Sequence, residues 1–270
     1  MNLTDREKIE GLRQRYNHFA ASHSFLSLYI YGDGEGYDVS LSGDGFYVTD
    51  RAGDILFPVG SDEYKRRFIE QNRGKRIYMM RECDVDFVKS VIPGFVCEPT
   101  PERDEYVYSR TEQVSLEGHK FQKVRAKLSR FYRENAVENR AITKENINDA
   151  YGILSSWTPK SGEGDAGGAK KALDNFFALG LLGMITYIDD QPVGYCLGGD
   201  ICGGVFMLCS AKQISDAQGL NISTKHELFK ALPEGITKIN TESDHGSPGI
   251  RMHKNDMRPV YLNKTYKGML

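Results

Sequence analysis

The chain is poor in the features that announce a specialised class of protein. It has only five cysteines, Cys83, Cys97, Cys196, Cys202 and Cys209, an odd number without C-x-x-C spacing. A disulfide framework and a zinc ribbon are both excluded, and reduced thiols held in apolar strands are expected. No run approaches the roughly 18 apolar residues of a membrane span, and the polar opening MNLTDREKIEGLRQ lacks the apolar stretch of a signal peptide. A cytoplasmic protein without a transmembrane segment is expected. Charge of one sign is also missing: the formal net charge is −2 with 27% charged residues, so bulk composition predicts neither a nucleic-acid nor an anionic-membrane partner. No glycine-rich segment carries the Lys-Ser/Thr of a P-loop, and His245 and His253 lack the spacing of a metal motif, so no metal is expected.

What is present is an ordinary apolar fraction, 40% over 270 residues, enough for two packed units. Ile9, Leu12, Tyr16 and Phe19 recur at helical steps. Strands are expected at Phe25–Tyr31, Tyr37–Leu41, Gly45–Thr49 and Ile55–Val59, separated by Gly-Asp-Gly and Ser-Gly-Asp-Gly turn chemistry and forming a meander. Ser61 is placed to cap a helix reaching about Asn72, Arg76–Met80 reads as a strand, Asp84 opens a short helix, and Phe95 onward is extended. His119–Glu134 is the clearest amphipathic helix, with Phe121, Val124, Leu128 and Phe131 on one stripe and Lys120, Lys123, Lys127 and Arg130 beside it. A boundary is expected in the polar stretch that follows, giving units of 1–137 and 138–270.

The second unit repeats a regular order: a strand at Arg140–Thr143, a helix from Lys144 to Trp157, the loop Ser161–Gly168 and a helix over Lys170–Leu179. Hairpin strands are expected at Gly183–Ile188, Pro192–Gly198 and Gly204–Ser210, then a helix over Ser223–Leu232. A strand at Thr237–Asn240, a short helix at Gly249–Lys254 and a strand at Pro259–Leu262 complete it.

Two stretches say more than the element order. One runs from Pro101 to Phe131 and contains Arg103, Asp104, Tyr106, Tyr108, Leu116, Gly118, Lys120 and Arg125; the other, NTESDHGSPGIRMHKNDMRP, contains Asn240, Glu242, Asp244, Gly246, Gly249, Arg251, Lys254 and Pro259. Together they resemble the tandem GNAT proteins grouped with the C-terminal domain of phosphatidylglycerol lysyltransferase. The resemblance implies an α/β (α+β) fold of two GNAT-like units, each a mixed, mostly antiparallel sheet flanked by helices, with the first copy degenerate. It departs from the family pattern at His119, Val124 and Ala126, and at Asp256-Met257-Arg258.

The activity implied is acyl or aminoacyl transfer to an amine or hydroxyl, the acceptor being a small molecule, a lipid head group or a peptide amine. Glu242 and Asp244 are the candidate catalytic bases, and Arg251, Lys254, Lys120 and Arg125 are candidates for holding an anionic substrate. Gly219 stands where acetyl-transferring relatives bind the coenzyme A pyrophosphate at a helix N-terminus, but AKQISDAQGLNIS does not reproduce their glycine loop. The donor is thus open between a coenzyme A thioester and aminoacyl-tRNA. A second reading stays open: a non-catalytic binding module in which Asp244 caps a turn, Arg251 pairs with Glu242, and the basic row is a solvated helix face.

Overall fold

The computed structural model describes residues 1–157 and 165–270. Helices α1 (Arg6–Arg15) and α2 (Phe25–Glu35) precede a three-stranded meander, β1 (Asp38–Leu41), β2 (Gly45–Thr49) and β3 (Ile55–Gly60). Then come α3 (Asp62–Gln71), β4 (Arg76–Met80), α4 (Glu82–Val91), β5 (Cys97–Pro99), β6 (Glu105–Ser109), α5 (Arg110–Ser115) and α6 (Gln122–Glu134). The second half begins with β7 (Val137–Ala141), α7 (Ile147–Ser156), α8 (Ala166–Asp174), β8 (Leu182–Ile188), β9 (Gln191–Asp200) and β10 (Val205–Gln213). It ends with α9 (Leu220–Ala231), β11 (Lys238–Asn240), α10 (Pro248–Asp256), β12 (Tyr261–Asn263) and β13 (Tyr266–Met269).

One expectation fails outright. Phe25–Tyr31 is not a strand but the body of α2. Ser24 caps it by accepting from the Ser27 amide at 3.1 Å, and Phe25, Leu26, Leu28 and Ile30 are all buried. A helix covered on every side shows no polar stripe, so its sequence looks like a continuously apolar strand. Elsewhere α1 stops at Arg15, β7 starts at Val137 and α8 spans Ala166–Asp174, while α5 and β13 are elements that the sequence pattern did not announce. Of the loop expected at Ser161–Gly168, Ser161–Gly164 lies outside the described residues, and Ala166–Gly168 form the first turn of α8. Not all cysteines sit in strands either, since Cys83 is exposed on α4.

The strands form two mixed sheets, ordered β1-β2-β3-β4-β13-β5 and β12-β6-β11-β10-β9-β8-β7. Each sheet has one parallel pair, β3 with β4 and β10 with β11, bridged by α3 and α9 respectively, while every other pair is antiparallel. Laid over each other, β1-β2-β3-β4 correspond to β8-β9-β10-β11, and β5 to β12. The first sheet has no counterpart of β7, which is the sense in which that copy is degenerate.

The remaining correspondence crosses the chain. β13, from the second half, fills the slot between β4 and β5, and β6, from the first half, fills the slot between β11 and β12. The linear boundary near residue 137 falls between α6 and β7, so strands pass it in both directions. Packing does the same. One hydrophobic cluster joins Ile9, Phe25, Phe46 and Leu56 to Ile185, Tyr195, Leu197 and Met207, and another packs Phe121 and Val124 of the α6 region against Phe206, Leu228 and Phe229. Two polar groups fasten the junction: Arg13 is fully buried and donates to the carbonyls of Ile201 at 2.6 Å and Ala20 at 2.8 Å. Asp104, buried, accepts from the Thr265 amide at 2.8 Å at the entry to β13. Among the described residues no helix is long and apolar enough to cross a membrane.

Candidate functional site

The site arises where two parallel strands part. β10 and β11 pair only from Val205 opposite Lys238 to Met207 opposite Asn240, while β10 continues to Gln213. The register of β10 against β9 slips at Cys209, a bulge that turns its carbonyl out of the ladder. β11 stops at Asn240, and a seven-residue connection from 241 to 247 leads into α10. The open end of a parallel pair is where α/β sheets commonly bind ligands.

Buried polar groups shape that connection. Asn240 is fully buried; its Oδ1 accepts from the Glu242 amide at 2.8 Å, and its Nδ2 donates to Glu105 at 2.8 Å. Glu105 also accepts from the amides of Ala21 and Ser22, both at 2.9 Å, and from Asn263 Nδ2 at 3.0 Å. Lys254 reaches back from α10 and donates to the carbonyls of Thr241 and, at 2.9 Å, Glu242. Under these constraints Glu242 is held at φ 59°, a left-handed conformation that a non-glycine residue seldom adopts.

The Glu242 carboxylate therefore projects toward the bulge. Its Oε2 accepts from the Tyr31 hydroxyl at 3.0 Å, and that hydroxyl also lies 2.6 Å from the Cys209 carbonyl. Among the described residues Oε1 has no partner. Burial raises the Glu242 carboxyl well above the usual carboxylate range, against the opposing pull of Lys254 and Tyr31. Burial likewise lowers Lys254, so both groups are pushed toward their neutral forms. Nearby, Lys212 is buried with its ammonium paired to Asp165 and 4.0 Å from the centre of the Trp157 ring. Trp157 is thus a half-buried platform for a cation as well as a helix end.

The other expected residues have different surroundings. Asp244 is fully buried and engaged: it accepts from Tyr106 at 2.7 Å, from Arg251 Nε at 2.7 Å and Nη2 at 3.1 Å, and from the Gly246 amide at 2.8 Å. Burial opposes its ionisation, but Arg251, Tyr106 and the amide outweigh it and hold its pKa below the ordinary value. Asp244 is a turn-forming carboxylate with no lone pair left for a proton, and Arg251 pairs with it rather than with Glu242. Lys254 spends its ammonium on backbone carbonyls. Lys120 pairs with Glu112 at 2.6 Å, and Arg125 closes the α5–α6 turn by donating to the carbonyls of Leu116 and, at 2.8 Å, Gly118. Neither reaches the Glu242 network through a hydrogen bond or ion pair among the described residues.

Gly219 differs most from its expected role. It stands at the N-terminus of α9 with φ 102°, but a Cβ there would lie 2.8 Å from Phe131 Cβ and 3.0 Å from the Lys127 carbonyl. One side of this helix terminus is packed against α6 of the same chain. Among the described residues no three His, Cys, Asp or Glu side chains converge as a metal site.

Sequence reading missed Tyr31, because its segment resembled a strand, and Lys212 with Asp165, which lie far apart in sequence. The signal for Tyr106 and Tyr108 was present in their i, i+2 spacing, which puts both on one face of β6. Tyr106 reaches Asp244, and Tyr108 donates to the Lys254 carbonyl at 2.9 Å.

Two mixed sheets with a helix-bridged parallel pair in each define a tandem GNAT-like protein. Residues 13–267 match the family described as Phosphatidylglycerol lysyltransferase, C-terminal, and the chain belongs to that family. Its structure is similar to that of a conserved protein of unknown function from Bacteroides thetaiotaomicron, with 23% identity, a TM-score of 0.91, and coverage of 100% of this chain and 98% of that one. It is also similar to L-PGS from Bacillus licheniformis, with 15% identity, a TM-score of 0.67 and coverage of 98% and 92%. A third is the C-terminal domain of a lysylphosphatidylglycerol synthetase homologue from Agrobacterium fabrum, with 14% identity, a TM-score of 0.67 and coverage of 100% and 92%. At these identities the likeness establishes the fold. Comparison with curated proteins gives no match.

Proposed function

We propose that the protein transfers an aminoacyl group from aminoacyl-tRNA to an amine or hydroxyl acceptor, with Glu242 as the general base. The observation that carries this reading is the Glu242 carboxylate at the parted end of β10 and β11, bonded through one oxygen to Tyr31 and shifted upward by burial. A base poised in this way takes a proton from an acceptor as its nitrogen or oxygen attacks the acyl carbon. The new acyl bond forms, the ester C–O bond of the donor breaks, and the proton on Glu242 passes to the departing ribose oxygen. Tyr31, whose pKa is raised by burial and by Glu242, stays protonated and keeps the carboxylate in place.

The segment AKQISDAQGLNIS lacks the glycine loop that holds a coenzyme A pyrophosphate in acetyl-transferring relatives, and Gly219 is packed against α6, which together favour an aminoacyl ester over a coenzyme A thioester. The family description, Phosphatidylglycerol lysyltransferase, C-terminal, supports an aminoacyl donor and an acceptor hydroxyl or amine carried by a lipid head group. Asp244, Arg251 and Lys254 then act by shaping the turn that presents Glu242.

The test is transfer from radiolabelled lysyl-tRNA and alanyl-tRNA, with acetyl-CoA in parallel, to phosphatidylglycerol vesicles and to a peptide amine. Label should move from a tRNA donor, and Glu242→Gln should lower the rate by about 100-fold or more. Transfer from acetyl-CoA alone, or full activity in Glu242→Gln, would refute the assignment. Saturable acceptor binding with no transfer from any donor would instead support a binding module.

A further inference from the structure

Behind the turn that carries Glu242 lies a small cavity, bounded by β6, α5, α9, α10 and the start of the connection after β11. Tyr108, Gln113, Lys225, Thr241, His253 and Lys254 contribute polar side chains to its wall, and no aspartate or glutamate lines it. Lys225, on α9, points its ammonium at His253 Nε2, 3.4 Å away, and has no carboxylate partner among the described residues. The cations facing His253 come from three elements: Lys225 on α9, Lys254 on α10 and Lys127 on α6, the last also 3.5 Å from Asp256. Gln113 is 1% exposed; its Nε2 donates to the Met257 carbonyl at 2.7 Å, while its Oε1 is buried with no hydrogen-bond partner.

An ammonium partly withdrawn from water without a counter-charge is costly, and so is a buried carbonyl oxygen without a donor. A ligand that relieves both must carry negative charge and also offer an O–H. A carboxylate or sulfate meets only the first demand at neutral pH. A phosphate meets both, since its second ionisation lies near pH 6 to 7 and its singly and doubly charged free forms keep at least one proton.

We propose that this cavity is an inorganic phosphate site, with Lys225 as the counter-ion, His253 as a further donor and Gln113 Oε1 receiving the ligand's O–H. Lys254 spends its own protons on the Thr241 and Glu242 carbonyls, so its stem forms wall rather than a ligand contact. Because Thr241 lines the cavity and Glu242 follows it, an occupant would brace the turn from the side opposite Tyr31.

The site can be tested by calorimetric titration of the full chain with inorganic phosphate, glycerol 3-phosphate and sulfate. Saturable phosphate binding is expected, with sulfate about tenfold weaker or more. Glycerol 3-phosphate, whose doubly charged phosphate has no O–H, should bind about tenfold weaker or more, and equal binding would overturn the role given to Gln113. Lys225→Met should weaken phosphate by about tenfold or more without lowering the unliganded Tm, since it removes a half-buried ammonium that has no carboxylate partner among the described residues. Gln113→Glu puts a carboxylate in the cavity wall and removes the amide that donates to the Met257 carbonyl, so it should abolish phosphate binding and lower the unliganded Tm. The proposal is overturned by the absence of saturable phosphate binding, by sulfate binding as tightly as phosphate, or by undiminished phosphate binding in Lys225→Met and Gln113→Glu.

Discussion

The two copies treat the same strand-to-helix passage differently. In the first, β4 ends at Met80 and α4 begins at Glu82, so Arg81 alone bridges strand and helix. Arg81 donates to Asp84 at 2.8 and 2.9 Å through its side chain and at 2.9 Å through its amide, which closes the passage with an internal ion pair. In the second, seven residues intervene between β11 and α10, three of them, Glu242, His245 and Gly246, in the left-handed region. The bulges correspond as well: β3 slips against β2 near Phe57, and β10 slips against β9 at Cys209. His23 meets the Phe57 carbonyl at 2.9 Å, whereas Tyr31 meets the Cys209 carbonyl beside a carboxylate. One scaffold thus makes a closed passage and an open one, and the difference lies in a single connection rather than in the sheets.

Exchanging charge for an amide at corresponding places should separate the two copies. The largest effect is expected from Glu242→Gln, which should reduce transfer by about 100-fold or more with little change in Tm. Asp84→Asn should do the opposite, lowering stability by about 2 kcal/mol in chemical denaturation, because it breaks a buried pair. If Asp84→Asn abolished transfer without lowering stability, the functional contrast between the copies would be lost.

Gly219→Ala meets both α6 and an unfavourable φ, and should cost about 1–3 kcal/mol. Unchanged stability in this variant would mean that α6 does not cover the terminus.

A smaller effect concerns pH. Burial lowers His18 well below its ordinary value and His23 to about 4, with His18 holding both ring nitrogens unpartnered. Their folded pKa values lie below the unfolded value of about 6.5, so the unfolded chain binds more protons. The stability they contribute is present above about pH 6.5 and falls as acid drops below it toward the folded values. His18→Leu should flatten that acid limb. In the second copy the upward shift of Glu242 gives an activity that rises with pH through a midpoint above the usual carboxylate range. Tyr31→Phe should move that midpoint, since it removes a hydrogen bond to the ionised form.

Much of the fold was legible because most helices carry a stripe and most strands a turn signal. Ser61 caps α3, and Asp189-Asp190 form a two-residue hairpin turn with φ values of 50° and 61°, as a type I′ turn requires. α2 was illegible because burial on all sides erases periodicity. The partners of β6 and β13 were illegible for another reason: alternation reports which face of a strand is covered, not which sheet it joins. At the site, sequence singled out Glu242, Asp244, Arg251 and Lys254, which lie together. It did not divide the residue that faces the opening from those that hold the turn, because that division depends on side-chain direction. Lys120 and Arg125 carried the same charge signal and serve their own loops.

The crossing of β6 and β13 also governs the order of events during synthesis. Every strand of the second sheet is available once β12 has left the ribosome, since β6 was made long before. The first sheet must wait, with β4 and β5 unbridged, until residues 266–269 emerge and the Leu270 backbone bonds to Gly74 and Lys75 at 2.7 and 3.0 Å. The earlier-made half is therefore the later one to close, and an interrupted chain leaves it with two unpaired strand edges.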